Sequence, residues 1–126
     1  RSLDPVTLAD RALTVMPPCS HLMSNHDGTL IVGDGCASPV DVNDKSGYAI
    51  GTDPYLHLFD LRAGPAGGST RRIARHDSSW GVYKGDRQVT HPHPSFTPDE
   101  RQVLFSCDKA GEPGLFLADL EPAAQP

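Results

Sequence analysis

The densest group of side chains capable of chemistry lies in the segment Gln88-Val-Thr-His91-Pro-His93. Residues at positions i and i+2 of an extended chain point to the same face, so His91 and His93 could bind one metal ion. Gln88 has the opposite parity, and its amide oxygen would need a bulge or turn near Thr90 to join them. A His-x-His pair alone is a weak signal, because turn and surface histidines produce it without a metal.

An internal repeat brings His21 into the same hypothesis. Segment 21–61 and segment 93–120 share a pattern in which a histidine, His21 or His93, stands six residues before a turn aspartate. In both copies the second predicted strand ends on Asp-Leu. An aspartate follows the first predicted strand, Asp34 in one copy and Asp108 in the other. The first copy is longer, which predicts a loop insertion around residues 38–48.

Short β-branched and aromatic runs bounded by turn residues predict strands. These runs cover residues 29–33, 55–61, 69–76, 102–106 and 115–117. The apolar residues of segment 3–15 follow neither a helical nor a strand period. The segment predicts an irregular lead-in, or the outer strand of a preceding blade, one of the small repeated sheets of a propeller. A repeat of strand, turn, strand, loop and strand is typical of β-propeller blades, so the fold class predicted is all-β.

The blade interpretation also places the histidines. Corresponding residues on the innermost strands of neighbouring blades lie near the propeller axis, which would bring His21 close to His91 and His93. Two copies are too few to close a ring, and the chain opens on Arg1. We therefore expect residues 1–126 to be the C-terminal blades of a single β-propeller domain whose upstream blades are absent.

The composition indicates which partners are disfavoured and which cellular compartment is favoured. The 12 Gly and 12 Pro residues, with only 6% aromatics, favour short strands joined by turns. A net charge of −5 argues against nucleic acid as the main partner. No apolar run of about 18 residues predicts a membrane span. Three cysteines, Cys19, Cys36 and Cys107, form no Cys-x-x-Cys pair, which favours free thiols and a cytoplasmic location.

The three remaining histidines receive plainer interpretations. His26 adjoins the Asp27-Gly28 turn and is expected on the surface. His57 alternates with two leucines and is expected to point away from the core face. His76 ends a polar strand, where a solvated position is favoured over one facing a substrate cleft.

Two segments, residues 19–35 and 88–99, resemble the C-terminal motifs of oligogalacturonate lyases. The resemblance extends from about Arg11 to Leu120, and its more specific part is the Gln-x-x-His-x-His arrangement. It implies a seven-bladed propeller in which three histidines and a glutamine hold a divalent ion, usually manganese. The residues that match by motif are His21, Gln88, His91 and His93. The ligand types alone would not select manganese, because imidazole suits zinc, iron, nickel and copper equally.

The resemblance also implies an activity. These polysaccharide lyases cleave short pectin-derived galacturonate oligomers by metal-assisted β-elimination, which begins with abstraction of the C5 proton. The family's base is a histidine upstream of the segment that this chain resembles, and no histidine here matches it by motif. We therefore expect residues 1–126 to carry the metal ligands without the catalytic base, and to be inactive alone.

Two alternatives remain open. The segment 94–105 resembles the WD40-like blade repeat of TolB-type propellers, so the chain could be a non-catalytic binding module in which His-x-His is structural. The propeller of a serine oligopeptidase shares that repeat, but such an enzyme needs a Gly-x-Ser-x-Gly elbow, which this sequence lacks.

Overall fold

The computed structural model describes residues 2–13, 19–35, 53–64, 68–78 and 90–120. Gln88, Cys36 and the predicted loop insertion lie outside these ranges. Within them all regular structure is β, and no helix could cross a membrane. The strands are β1 (Ser2–Leu3), β2 (Asp10–Arg11), β3 (Cys19–Ser24), β4 (Leu30–Gly35), β5 (Tyr55–Asp60), β6 (Ser69–Arg75), β7 (Ser95–Phe96), β8 (Gln102–Cys107) and β9 (Gly114–Asp119).

Strands that are neighbours in sequence pair antiparallel. β3 to β6 form a four-stranded sheet in the order β3-β4-β5-β6, and β7 to β9 form a three-stranded sheet. A short up-and-down sheet of this kind is the blade unit of a propeller, so the predicted fold class is confirmed. We call the sheet of β3 to β6 the first blade and the sheet of β7 to β9 the second blade.

The lead-in forms a separate small hairpin. β1 pairs only with β2 among the described strands, through Ser2 with Arg11 and Leu3 with Asp10. The Asp4 carboxylate accepts hydrogen bonds from the Val6 and Thr7 backbone N–H groups and shapes the turn. The paired strands show that residues 2–11 are less irregular than predicted, and the alternative of an outer strand of a preceding blade stays a prediction.

The internal repeat is present in three dimensions. Asn25 and Thr97 stand at the same place before β4 and β8, where each makes a backbone and a side-chain bond to the first residue of the strand. The Asn25 Oδ1 accepts from Leu30 N at 2.8 Å, and the Thr97 Oγ1 accepts from Gln102 N at 3.1 Å. The backbone N–H groups of Asn25 and Thr97 donate to the carbonyls of the same two residues.

The structure corrects the register of the repeat beyond the turn. β4 and β8 each have six residues, and the fifth is Asp34 in one and Ser106 in the other. The predicted equivalence of Asp34 with Asp108 is therefore wrong, since Asp108 comes after the end of β8. The sequence pattern misled because both aspartates follow an apolar run of similar length.

One hydrophobic core cluster joins the two blades. Alternate residues of β8 are buried, and four consecutive residues of β5 are buried. The buried members of the cluster are Val32, Leu56, Leu58, Val103, Phe105, Cys107, Ala118 and Leu120. Since they come from both blades, apolar packing fixes the orientation of one sheet against the other.

A polar contact joins the blades at the two equivalent turns. The Glu100 carboxylate accepts hydrogen bonds from the His26 backbone N–H at 2.6 Å and from the Asn25 Nδ2 at 3.1 Å. Glu100 has a φ of +56°, which is the left-handed region that its counterpart Gly28 occupies at +71°. The contact connects the turn before β8 to the turn before β4, and so sets the spacing of the two histidine-bearing segments.

Candidate metal centre

His21 lies in an irregular part of the first blade. The pairing of β3 with β4 shifts between Cys19 and Leu22, as in a β-bulge. The backbone N–H groups of Ser20 and His21 point instead to the Asp34 side chain, whose Oδ1 accepts them at 3.2 and 2.7 Å. Bulges change the direction of a side chain, and this one directs His21 towards the second blade.

The His21 ring is held by the same carboxylate. Its Nδ1 lies 2.7 Å from the Asp34 Oδ2, and the Asp34 side chain has no exposure to solvent. In a neutral imidazole this bond places the proton on Nδ1 and the lone pair on Nε2. Asp34 therefore binds both the backbone and the ring of His21.

His91 and His93 precede the first strand of the second blade. Residues 90–94 form no strand, and His93 has a left-handed backbone with a φ of +44°. The sequence argument assumed that His91 and His93 lie on an extended segment and therefore share a face, and that assumption is wrong. The two rings nevertheless lie near one another, with centroids 5.5 Å apart, because the left-handed residue bends the chain.

Three anchored carbonyls hold this bent segment. The Ser78 Oγ donates to Thr90 O at 2.7 Å, the Ser106 Oγ donates to His91 O, and the Ser106 N donates to Pro92 O at 2.8 Å. Thr90 and Pro92 are buried. The position of the two rings is thus set by strand β8 and by the residues that follow β6.

The structure brings three of the four predicted ligands together. One ring nitrogen from each of His21, His91 and His93 lies within 4.8 Å of the others. The centroid of the His21 ring is 3.7 Å from that of His93 and 4.9 Å from that of His91. We call these residues the three-histidine cluster. Gln88, the fourth predicted ligand, lies outside the described residues, and its role stays a prediction.

The environment keeps the cluster in its metal-binding form. Burial lowers the pKa of His91 and of His93, and the nearby His21 lowers both further. A neutral imidazole has a lone pair for a metal, whereas a protonated one has none. Two metal–nitrogen bonds of about 2.1 Å span about 3.4 Å at a tetrahedral angle and at most about 4.2 Å, so a separation of 4.8 Å must shorten by roughly 0.6 to 1.4 Å for one ion to bind all three rings.

The other three histidines lie outside the cluster. His26 is exposed, as predicted. His57 is buried outside the core cluster, and its Nε2 lies 2.7 Å from the Asp53 Oδ2. The favoured solvated position of His76 is wrong, because the ring is fully buried and burial lowers its pKa.

His76 connects the two halves of the site. Its Nδ1 accepts from Ser78 N at 3.0 Å, and its Nε2 lies 3.3 Å from Gly35 O. Ser78 in turn holds Thr90, next to His91. Sequence reasoning missed this connection and the role of Asp34, although the buried Gly-Asp-Gly sequence at the end of an apolar strand was a signal for the latter.

The site and the fold can now be compared with known proteins. A family model described as oligogalacturonate lyase matches residues 1–124. The chain belongs to the oligogalacturonate lyase family. The resemblance stated from residues 19–35 and 88–99 is thereby confirmed.

Curated relatives and solved structures agree with this family. The chain is 64% identical to an oligogalacturonide lyase of Pectobacterium atrosepticum over 118 residues, and 59% identical to an oligogalacturonate lyase of Dickeya dadantii over 117 residues. These alignments cover 94% and 93% of the chain. A solved oligogalacturonate lyase in complex with manganese is 51% identical with a TM-score of 0.75, covering 96% of this chain. Another, from Vibrio parahaemolyticus, is 44% identical with a TM-score of 0.77, covering 97% of this chain.

The chain is much shorter than these family members. It spans 29% of the length of both curated relatives, and 28% and 29% of the two solved chains. The assignment of residues 1–126 to one propeller domain, with other blades supplied from outside them, stays a prediction.

Proposed function

We propose that this chain carries the divalent-metal centre of an oligogalacturonide lyase. The observation that supports this most directly is the approach of the ring nitrogens of His21, His91 and His93 to within 4.8 Å, from two different blades. A structural role for a lone His-x-His pair would not require a third histidine from a segment some 70 residues earlier. Membership of the family supplies the reaction class.

Manganese is the metal we propose. Three imidazoles by themselves suit zinc, iron, nickel or copper at least as well. Support for manganese comes from the related structure that is described as a manganese complex. We propose Gln88 as a fourth ligand, because an amide oxygen makes the donor set harder and because the Gln-x-x-His-x-His arrangement matches the family's motif.

The proposed reaction is β-elimination on short galacturonate oligomers. A base removes the C5 proton beside the carboxylate, and the glycosidic oxygen on C4 leaves as the C4–C5 double bond forms. A divalent ion held by His21, His91 and His93 would neutralise the substrate carboxylate and stabilise the negative charge that develops at the reacting carbon. The residues of this chain contribute by holding neutral imidazoles in place: Asp34 orients His21, and burial disfavours protonation of His91 and His93.

We propose that the base comes from outside residues 1–126. All six histidines of the chain are among the described residues, and three of them form the cluster. His57 and His76 are buried and bonded to protein groups. His26 lies at the turn whose backbone binds Glu100. None of these three belongs to the three-histidine cluster that would hold the metal.

The alternative function is a non-catalytic TolB-like binding platform. It predicts that the cluster has only a structural role and that alanine at His91 leaves the affinity for divalent ions unchanged. The family match and the convergence of three histidines favour the lyase.

A chimera tests the proposed function. Residues 1–126 would replace the matching segment of the Dickeya dadantii relative, with which they share 59% identity. Oligogalacturonide turnover is followed by the absorbance of the unsaturated uronate product, with added Mn²⁺ and after chelation. We expect a metal-dependent lyase in the chimera, its loss in the His91→Ala chimera, and no turnover by residues 1–126 alone. A folded, manganese-loaded chimera without activity, or robust turnover by residues 1–126, would contradict the proposal.

We also propose a cytoplasmic location. The three cysteines form no Cys-x-x-Cys pair, and Cys107 is a buried free thiol, which suits a reducing compartment. Detection of the protein in fractionated cells tests this, and recovery only outside the cytoplasm would contradict it.

A further inference from the structure

We propose that Asp34 is a positioning residue that fixes the tautomer and orientation of His21 for metal binding. The proposal rests on the metal site proposed above and assigns a role to a side chain that would not touch the ion. The Asp34 side chain is fully buried and lies 2.7 Å from the Nδ1 of His21. It is the only carboxylate among the described residues that bonds to a ring of the three-histidine cluster in the observed hydrogen bonds.

The carboxylate also determines where His21 lies along the strand. Because the pairing of β3 with β4 is interrupted between Cys19 and Leu22, the N–H groups of Ser20 and His21 cannot follow the regular ladder. The Asp34 Oδ1 accepts both of them, at 3.2 and 2.7 Å. One side chain therefore stabilises the bulge and, through its other oxygen, the ring that the bulge presents. This double attachment leaves the ring little freedom to rotate away from the cluster.

The bond to Asp34 also determines which nitrogen of the His21 ring carries the proton. A carboxylate is only an acceptor, so it selects the neutral tautomer with the proton on Nδ1 and the lone pair on Nε2. Carboxylate or carbonyl partners of this kind raise the basicity of a metal-binding histidine and hold its orientation. An asparagine of nearly the same shape can present its NH₂ group to Nδ1 instead. The proton then moves to Nε2, and the lone pair no longer faces the cluster.

The chain contains a matched control. The Nε2 of His57 lies 2.7 Å from the Asp53 Oδ2, the same separation as between His21 and Asp34, but His57 is not part of the three-histidine cluster. Asp53→Asn therefore changes a histidine–aspartate pair of equal length that contains no proposed metal ligand. A difference between the two substitutions separates positioning of the metal ligand from general stabilisation of the fold.

The experiment measures the Mn²⁺ affinity of the Dickeya dadantii chimera, which serves as the parent chain, by isothermal titration, with far-UV circular dichroism to check folding. We expect Asp34→Asn to weaken Mn²⁺ binding by about 10- to 100-fold. Asp53→Asn should change it by less than about threefold, because neither Asp53 nor its partner His57 belongs to the three-histidine cluster. Equal affinity of folded Asp34→Asn and the parent chain, or an equal loss in both variants, overturns the proposal.

A second measurement decides the matter even if Asp34→Asn fails to fold. Imidazole ¹⁵N chemical shifts of the metal-free parent chain report which ring nitrogen of His21 carries the proton. A proton on Nδ1 supports the proposal, and a proton on Nε2 overturns it. A parent chain that binds no Mn²⁺ contradicts the proposed metal site, and the His21 tautomer then still decides whether Asp34 has the positioning role.

Discussion

Ser106 occupies in the second blade the position that Asp34 occupies in the first, and both side chains hold a segment that carries histidines of the cluster. Each is the fifth residue of the second strand of its blade. Asp34 binds the backbone and ring of His21, while Ser106 donates its Oγ to His91 O and its N–H to Pro92 O. The same place in the blade is thus used twice, with a carboxylate facing backbone donors and a hydroxyl facing backbone acceptors.

Substitution of Ser106 should weaken Mn²⁺ binding less than substitution of Asp34 does. Ser106→Ala removes the side-chain bond to His91 O but keeps the backbone bond to Pro92 O, so the segment should loosen without detaching. We expect Mn²⁺ affinity to fall by about 3- to 10-fold and the free energy of unfolding by about 1 kcal/mol. Titration with Mn²⁺ and urea unfolding measure the two effects. Ser24→Ala, at an exposed position of β3, is the control, and a Ser106→Ala variant indistinguishable from it would contradict the prediction.

The three-histidine cluster predicts a shared loss of metal binding. Replacing His21, His91 or His93 by alanine removes a proposed ligand, and each substitution should weaken Mn²⁺ binding by more than about 100-fold, beyond the effect of losing a supporting residue. His26→Ala is the matched control, because that ring is exposed and lies outside the cluster. Elemental analysis after gel filtration and titration would both report the loss. Retention of metal by any one of the three variants would exclude that residue as a ligand.

The buried ring of His76 predicts that acid destabilises the protein. Burial lowers its pKa below the ordinary value of 6.5, so the unfolded state takes up a proton before the folded state does. The free energy of unfolding should therefore be constant above that value and decrease as the pH falls from it towards the folded pKa. Urea unfolding between pH 7.5 and 5.0 in the presence of a chelator measures the slope.

A substitution separates His76 from the other histidines with lowered pKa values. His91 and His93 contribute with the same sign, so the slope should shrink but not vanish in His76→Gln, which cannot take up a proton. Protonation of Nδ1 would also break the bond from Ser78 N. An unchanged slope in His76→Gln would show that His76 does not titrate differently in the two states.

The turn contact of Glu100 predicts opposite contributions from its side chain and its backbone. Glu100→Ala loses the bonds to His26 N and to Asn25 Nδ2 while keeping a left-handed φ of +56°, and should cost about 1–2 kcal/mol of stability. Glu100→Gly loses the same bonds but suits that backbone, as Gly28 does in the first blade, so its cost should be smaller by about 1 kcal/mol. Urea unfolding of the two variants compares them. A glycine variant less stable than the alanine variant would contradict the backbone argument.

The repeat itself could be predicted from the sequence because it depends on local patterns. The turn before β4 and the turn before β8 each place a polar side chain, Asn25 or Thr97, against the first residue of the strand, and such turns leave a mark over five or six residues. The limits of β4, β5, β6, β8 and β9 followed, to within two residues, from apolar runs bounded by turn residues, whereas no such run predicted β3 or β7. The correspondence of His21 with His93 could be predicted in this way, since the two residues stand at the same position of the repeated sequence pattern.

Other features of the site depended on contacts that no local pattern records. His76 looked solvated because it ends a polar strand, yet its ring is fully buried against Gly35 and Ser78, and burial is decided by the packing of segments distant in sequence. His91 and His93 were related by strand parity, whereas a left-handed backbone at His93 brings their rings together.

The sequence by itself determined that the structural unit is a small antiparallel sheet, that this unit is repeated, and which histidines are candidate metal ligands. These features could be predicted because periodicity and turn residues act over a few neighbouring positions. Only the tertiary structure decided that Asp34 holds His21 and that Ser106 holds His91. Those bonds join residues 13 and 15 positions apart, and their existence depends on a strand irregularity and on which face of each sheet is closed to water.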